Sequence, residues 1–198
     1  MEGTVSATAL LIAYVRSLEA TKPFDKQLFN DPFASELAGE KGRQYFESFG
    51  NLLPYREIVG VRTYYIDTFI TNLLSHWSTP QNDSNEQNET KSQTAQHQVV
   101  VLGAGLDTRA WRFSKQIVQQ TAWFEVDLAP IIDFKRTHRA LASHQPNTFE
   151  HHYVDADVCS DELETRLQQA GFQRDLKTIW EEQLQVLFCT FFYISFCL

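Results

Sequence analysis

The sequence is poor in cysteine: its 198 residues include only Cys159, Cys189 and Cys197, with no CxxC spacing. Neither a disulfide framework nor a zinc site is therefore predicted, and a cytoplasmic location is expected. Positive charge is also scarce, because 25 acidic residues against 17 basic ones give a formal net charge of −8. Nucleic acids and anionic membranes favour proteins of the opposite sign, so neither is expected as a partner.

The start of the sequence lacks the positive charge and the small-residue cleavage site that are typical of a secretory signal. Its apolar run, residues 7–15, leads directly into Arg16 and Glu19. We expect an amphipathic helix there, with Ser6 as its N-cap.

Composition divides the rest of the chain into zones. Residues 1–78 carry apolar positions at helical spacing and are cut by prolines, which predicts an N-terminal helical cap whose longest helix covers residues 58–74. Residues 79–98 contain almost no apolar side chain and are predicted to be a disordered polar insertion.

The third zone, residues 99–182, alternates between two kinds of segment. Short buried-strand candidates occupy residues 99–102, 122–126 and 150–154, and a fourth begins near residue 178. Helices are expected from about residue 106, over 130–141 and over 161–170, the last closed by Gly171. This alternation predicts an α/β fold, a Rossmann-like doubly wound parallel sheet with right-handed crossovers.

A glycine turn follows the first predicted strand, with Gly103 and Gly105 in the sequence VVVLGAGLDTRAWR. Glycine there permits a positive φ and lets a ligand approach the backbone. A third glycine, as in dinucleotide fingerprints, is replaced by Thr108, whereas Asp127 ends the second strand where a carboxylate can bind a ribose diol. Both features indicate a nucleoside ligand. The alternatives are a tight turn chosen for packing, and Asp127 as a helix N-cap.

Several segments together resemble the leucine carboxyl methyltransferase superfamily. They are VVVLGAGLDTRAWR (99–112), WFEVDLAPIIDFKR (123–136), DPFASELAGEKG (31–42), VRTYYID (61–67) and the Ala156-Asp157-Val158 turn. The resemblance implies a methyltransferase that uses S-adenosyl-L-methionine, with a Rossmann-like core and a helical cap. It implies transfer of a methyl group to an oxygen, with a small molecule or a C-terminal carboxylate as the acceptor substrate.

The resemblance also assigns cofactor-binding roles, but no catalytic residue and no metal ligand. Gly103 and Gly105 would line the methionine part and Asp127 would hold the ribose, while Asp157 and Val158 would flank the adenine. Arg62 would pair with the cofactor carboxylate, and Glu181 is the first candidate for the family's cofactor-site glutamate, with Glu182 second. The alternatives are a solvated helix charge at Arg62 and a helix cap at Asp157. Asp107 and Arg109 are expected to form a local structural pair rather than to contact the substrate.

The sequence departs from the family pattern after Glu181. Family members are longer, and residues 183–198 form an uncharged, divergent apolar tail. We therefore expect a sheet that is incomplete at the C-terminus, with a buried strand as the alternative reading of the tail. The alternative function is a truncated, non-catalytic fragment or pseudoenzyme that keeps part of the cofactor site, and an NAD-binding oxidoreductase is a weaker one.

Overall fold

The computed structural model describes residues 5–48, 53–78, 95–117, 120–146, 148–182 and 196–197. Its first part is helical, with α1 (Ala7–Ser17), 3-10 turns at Leu18–Thr21 and Phe24–Lys26, α2 (Ala34–Ser48) and α3 (Leu53–Ser78). Ser6 occupies the predicted N-cap position of α1, although its side chain makes no capping hydrogen bond. In the described part of the chain, no helix combines the length and apolarity that a membrane span requires.

The second part alternates strands and helices, as predicted. Its elements are β1 (His97–Leu102), α4 (Arg109–Arg112), β2 (Thr121–Asp127), α5 (Ala129–Thr137), α6 (Arg139–Ala142), β3 (Glu150–Asp155), α7 (Leu163–Gln169), β4 (Lys177–Glu182) and β5 (Phe196–Cys197). They form one sheet in the order β3-β2-β1-β4-β5. The first four strands are parallel and β5 is antiparallel to β4. The predicted doubly wound α/β architecture is confirmed.

The strand order creates a switch point in the middle of the sheet. The chain moves outward from β1 through β2 to β3, and then returns past β1 to form β4 on its other side. In sheets of this type, ligands bind in the crevice at the carboxyl ends of the strands that flank such a point. The carboxyl ends of β1, β2 and β4 are therefore where a site is expected.

Alternate residues of the strands bury two different faces of the sheet. Val99 and Val101 of β1 are fully buried in a cluster with residues of α1, α2, α3 and α4. Val100 points the other way and packs with Phe124 and with Leu167 of α7. The cap helices thus cover one face of the sheet, and residues at the ends of the strands on that face meet the cap.

The predicted 58–74 helix is longer, as α3 (Leu53–Ser78), and two of the other helix boundaries differ from the prediction for local reasons. The helix after the glycine turn begins at Arg109 rather than near residue 106, because the Asp107 carboxylate accepts the Arg109 N–H over 2.6 Å and fixes the turn before it. The helix predicted over 130–141 is divided at His138, which has an extended ψ of 125°. Its Nδ1 accepts the N–H of Ala140 over 3.3 Å and so caps α6.

Two predicted segments fall mainly outside the described residues. β1 begins at His97, two residues inside the predicted insertion 79–98, and the insertion up to residue 94 lies outside the described residues. Of the predicted tail 183–198, only Phe196–Cys197 is described. The disorder of the first segment and the divergence of the second stay predictions.

Candidate functional site

The glycine turn and Asp127 form the centre of the strand-end edge. Gly103 and Gly105 have positive φ values of 64° and 49°, a region that favours glycine. The N–H of Gly105 donates to Asp127 Oδ2 over 2.7 Å, and the N–H of Leu128 donates to Oδ1 over 2.7 Å. Asp127 is not the N-cap of α5, a position that Leu128 occupies. The half-buried carboxylate instead connects the end of β2 to the turn after β1.

The predicted adenine-side residues lie at the end of the next strand. Asp157 is exposed two residues beyond β3, and its Oδ1 accepts the N–H of Cys159 over 2.9 Å. This bond closes a local turn, so Asp157 is not the cap of α7, which begins at Leu163. Val158 is partly buried against the core beside α7.

Glu181 is buried near the end of β4, in register with Val101 of β1. Residues in register on parallel strands point to the same face, so Glu181 faces the cap. Its Oε1 lies 2.8 Å from Nη1 of Arg109, whose side chain is also buried. The second candidate, Glu182, is exposed. The structure therefore brings Glu181, rather than Glu182, into the interface between cap and core.

Arg109 connects three carboxylates from three elements. Besides Glu181, it pairs with Asp107 of the turn and with Asp67 of α3, at 2.6 Å from its Nε. The predicted local pair between Asp107 and Arg109 is confirmed. Asp67 also accepts from Arg112 Nη1 over 2.5 Å, so two arginines of α4 hold one residue of the cap.

Arg62 stands at the edge of this network on α3. It lines a small cavity together with Asp107 and Arg109. Its guanidinium is partly buried, and its Nη2 donates only a long bond of 3.5 Å to the backbone oxygen of Glu182. Among the described residues Arg62 forms no ion pair, in contrast to Arg109 and Arg112. Burial lowers the pKa of Arg62, an effect that the charge of Glu181 opposes.

The electrostatics of this layer favour the ionised forms of Asp107 and Arg109. Burial alone would raise the pKa of Asp107, but the positive charges of Arg109, Lys135, Arg16 and Arg112 together hold it well below its usual range. Burial likewise opposes the charge of Arg109, yet Asp107, Glu181 and Asp67 raise its pKa. Asp107 and Arg109 therefore stabilise each other in their ionised forms.

Asp31 makes a second connection between the helical cap and the segment after the glycine turn, and this connection was not predicted from the sequence. Asp31, of the Asp-Pro segment, accepts from Arg16 Nε over 3.0 Å and from the Thr108 hydroxyl over 2.8 Å. Its other oxygen accepts the N–H of Ala34 at the start of α2 over 3.2 Å. Arg16 also donates to the backbone oxygen of Leu106 over 2.5 Å. Asp31 directly precedes Pro32 just before α2, and an aspartate at such a position is the sequence signal for a helix N-cap.

Sequence reasoning also missed a charged cluster under α5. Glu125 and Lys135 are fully buried, with Oε2 and Nζ 2.7 Å apart, and His151 Nε2 lies 3.6 Å from the same oxygen. The signal is Glu125 itself, an acid flanked by apolar residues inside the strand TAWFEVD, which requires a buried partner. Among the described residues no group of three or more histidine, cysteine or acidic side chains could hold a metal ion.

Comparisons with known proteins agree with these features. A family model described as "Leucine carboxyl methyltransferase" matches residues 9–188. A Mycobacterium bovis protein named "Putative S-adenosyl-L-methionine-dependent methyltransferase" is 30% identical over 195 residues, which cover 91% of this chain and 57% of that relative. A Mycobacterium tuberculosis protein of the same name is 27% identical, with 91% of this chain and 54% of the relative covered. The chain thus spans somewhat more than half the length of these curated relatives.

Proposed function

Since the chain belongs to the leucine carboxyl methyltransferase family, we propose that its strand-end crevice binds S-adenosyl-L-methionine. We further propose that the protein takes part in transfer of the cofactor's methyl group to an oxygen of a carboxylate or hydroxyl acceptor. The relatives' names support the cofactor and the type of reaction. The substrate would be a small molecule or a C-terminal carboxylate.

The observation that carries the proposal is the placement of Asp127 and Arg62 on opposite sides of the glycine turn. Asp127 ends β2, and Arg62 reaches the end of β4, with β1 and its turn between them. Two strand spacings separate those ends by about 10 Å. A ribose joined to an amino acid is long enough to reach across this span, with its diol at Asp127 and its carboxylate at Arg62.

The residues present fit such a ligand chemically. Asp127 suits the role of accepting hydrogen bonds from both hydroxyls of a ribose. Each of its two oxygens accepts one backbone N–H and keeps further lone pairs. A guanidinium binds a carboxylate with a two-pronged geometry, and Arg62 has no carboxylate partner among the described residues. Asp157, exposed beside the partly buried Val158, would accept from an adenine amino group.

Methyl transfer requires little of the protein beyond orienting the cofactor and the acceptor relative to each other. The bound cofactor supplies a methyl group that its sulfonium already activates. The chain's own residues would hold the nucleoside and the amino-acid end, so that the acceptor oxygen is aligned with the methyl group. A carboxylate acceptor is ionised at neutral pH and needs no general base, whereas a hydroxyl acceptor does.

Binding experiments test the proposal directly. Calorimetric titration with S-adenosylhomocysteine and with NAD should show binding of the first only. Asp127→Ala should weaken that binding by about 2 kcal/mol, the value of a hydrogen bond to a charged group. Asp155→Ala is the matched control, because Asp155 ends β3 in register with Asp127 and is exposed. Binding of NAD that Asp127→Ala abolishes would contradict the proposal.

A further inference from the structure

A cavity of about 770 Å³ lies between the helical cap and α5. In the described part of the chain its walls come from the start of α1, from α2, and from α5 with the residue that follows it. Its apolar lining includes Val5, Leu10, Leu37 and Phe134. Small-molecule sites are clefts of about 300–1,000 Å³ with mostly apolar walls, so the size and the lining are both those of a ligand pocket.

Two breaks in the helices border this cavity. α2 is interrupted at Gly39, whose φ of 54° and ψ of −165° are not helical, and a Cβ there would meet no atom within 4 Å. On the opposite wall, the helix after β2 is divided at His138. Both residues line the cavity. A backbone conformation that is confined to glycine is typical of ligand sites, so the break at Gly39 supports a binding role for this wall.

The cavity shares two elements with the proposed cofactor crevice. A Cβ on Gly105 would lie 3.8 Å from the Cβ of Ala9, so α1 packs directly against the glycine turn. The other shared element, α5, begins two residues after Asp127. The start of α1 therefore borders both the cavity and the turn that would line the methionine part of the cofactor. A molecule in the cavity would be adjacent to that part of the cofactor.

The carboxylates and the ammonium group that line the cavity give no excess of positive charge. Glu40 already pairs with Arg43. Glu36 and Lys41 carry opposite charges, and neither forms an ion pair among the described residues. An anionic ligand would lose its hydration without gaining a net counter-charge, whereas an uncharged ligand would not.

We propose that this cavity binds the acceptor substrate, and that the acceptor is an uncharged small molecule with an apolar body. The inference rests on the proposed function, and it selects a small molecule over the C-terminus of a protein. A C-terminal carboxylate would bring a charge that the lining does not neutralise.

Primary alcohols of increasing length test the apolar character of the cavity. 1-Hexanol, 1-octanol and 1-decanol differ only in the length of the apolar chain. Calorimetric titration of the wild-type chain should show an affinity that rises about fourfold for each added CH₂ group, with and without S-adenosylhomocysteine. Octanoate should bind about tenfold more weakly than 1-octanol, because its charge must be desolvated.

A bulky side chain in the cavity tests the location. Ala7 is exposed and lines the cavity, so Ala7→Trp fills it without a change in the core. This variant should weaken the binding of 1-octanol about tenfold or more and leave the binding of S-adenosylhomocysteine unchanged. Lys41→Trp, also at an exposed lining position, decides the question if Ala7→Trp does not fold. Ser35→Trp is the matched control, since Ser35 is exposed near the start of α2 and does not line the cavity.

A sulfonium analogue of S-adenosyl-L-methionine, with an octyl chain in place of the methyl group, tests the assignment to the acceptor. Its chain starts where the methyl group would be and would extend into the cavity. The wild-type chain should bind it about tenfold or more tightly than S-adenosyl-L-methionine itself. Ala7→Trp should abolish this gain, and Ser35→Trp should keep it.

The outcomes separate this inference from the proposed function. If the wild-type chain does not bind S-adenosylhomocysteine, the proposed function fails. If it does, the cavity assignment is overturned when the affinity for alcohols does not rise with length, or when S-adenosylhomocysteine displaces them. It is also overturned when their binding survives both filling variants, as it would in the cavity of about 720 Å³ between α7 and β4. An octyl analogue that gains no affinity would show that the cavity does not receive the acceptor.

Discussion

The buried ion pair between Glu125 and Lys135 permits the sharpest stability prediction. Its charged atoms are 2.7 Å apart, and neither side chain has exposed surface. Lys135→Met removes the ammonium, keeps most of the apolar stem, and leaves the Glu125 carboxylate buried without its cation. The Lys135 ammonium also lies 5.5 Å from the centre of the Trp111 ring, a contact that methionine keeps only in part.

The magnitude follows from the cost of an unpaired buried charge. Removing one partner of a buried pair costs about 3–5 kcal/mol. For a chain of this size, 1 kcal/mol changes the melting temperature by about 2–4 °C, so Lys135→Met should melt about 6–20 °C below the wild type. Thermal unfolding followed by circular dichroism at neutral pH measures this shift.

A second variant tests whether the unpaired charge of Glu125, rather than the loss of the Lys135 side chain itself, lowers the stability. In Glu125→Leu/Lys135→Met both charges are replaced by apolar side chains of similar size, and most of the lost stability should return. The control is Arg43→Ala, since Arg43 pairs with Glu40 and Glu47 on the exposed side of α2 and should leave the melting temperature unchanged. If Lys135→Met has the melting temperature of the wild type, or the double variant melts below Lys135→Met, the reasoning is refuted.

Two further predictions concern acid stability and helix packing. Because folding lowers the pKa of Asp107 below its ordinary 3.8, the stability that it contributes is present above that value and is lost as the pH falls below it. Melting temperatures between about pH 4 and pH 2 should therefore fall more steeply for the wild type than for Asp107→Asn, and parallel curves would contradict this. Gly42→Ala would place a methyl group 2.7 Å from the backbone oxygen of Leu10 and 2.9 Å from Ala38 Cβ. It should cost about 1–3 kcal/mol by denaturant unfolding despite the higher helix propensity of alanine, and a gain in stability would show that α1 and α2 can separate there.

The sheet could be predicted from the sequence because its signals are local. The valine run at 99–101 and the turn Gly103-Ala104-Gly105 identify β1 and the edge at which a ligand is expected, without any knowledge of distant residues. Asp127 was placed correctly for the same reason, since it directly ends a strand. The break of the helix at His138 was missed because it depends on one side-chain bond to Ala140 that no periodicity records.

The ion pairs could not be predicted because their partners lie far apart in the sequence. Asp67 and Arg112 are 45 residues apart, and Arg109 and Glu181 are 72 apart. Patterns show that each residue is charged and semi-buried, but tertiary packing decides which charges meet. The local Asp107–Arg109 pair, two residues apart, was accessible to sequence reasoning, whereas the contact of Arg109 with Glu181 was not.

Most of the segments that carry the family resemblance meet in one place, and this explains why they occur together. Asp31 and Asp67 belong to the cap, and the residues that they bind, Thr108, Arg109 and Arg112, follow the glycine turn directly. Docking of the cap therefore fixes the segment that carries the turn. Because Arg62 comes from the cap and Asp127 from the sheet, the proposed ligand would contact both sides of this interface. Ligand binding and cap docking must then stabilise each other, since any ligand that binds only the docked state shifts the equilibrium towards it.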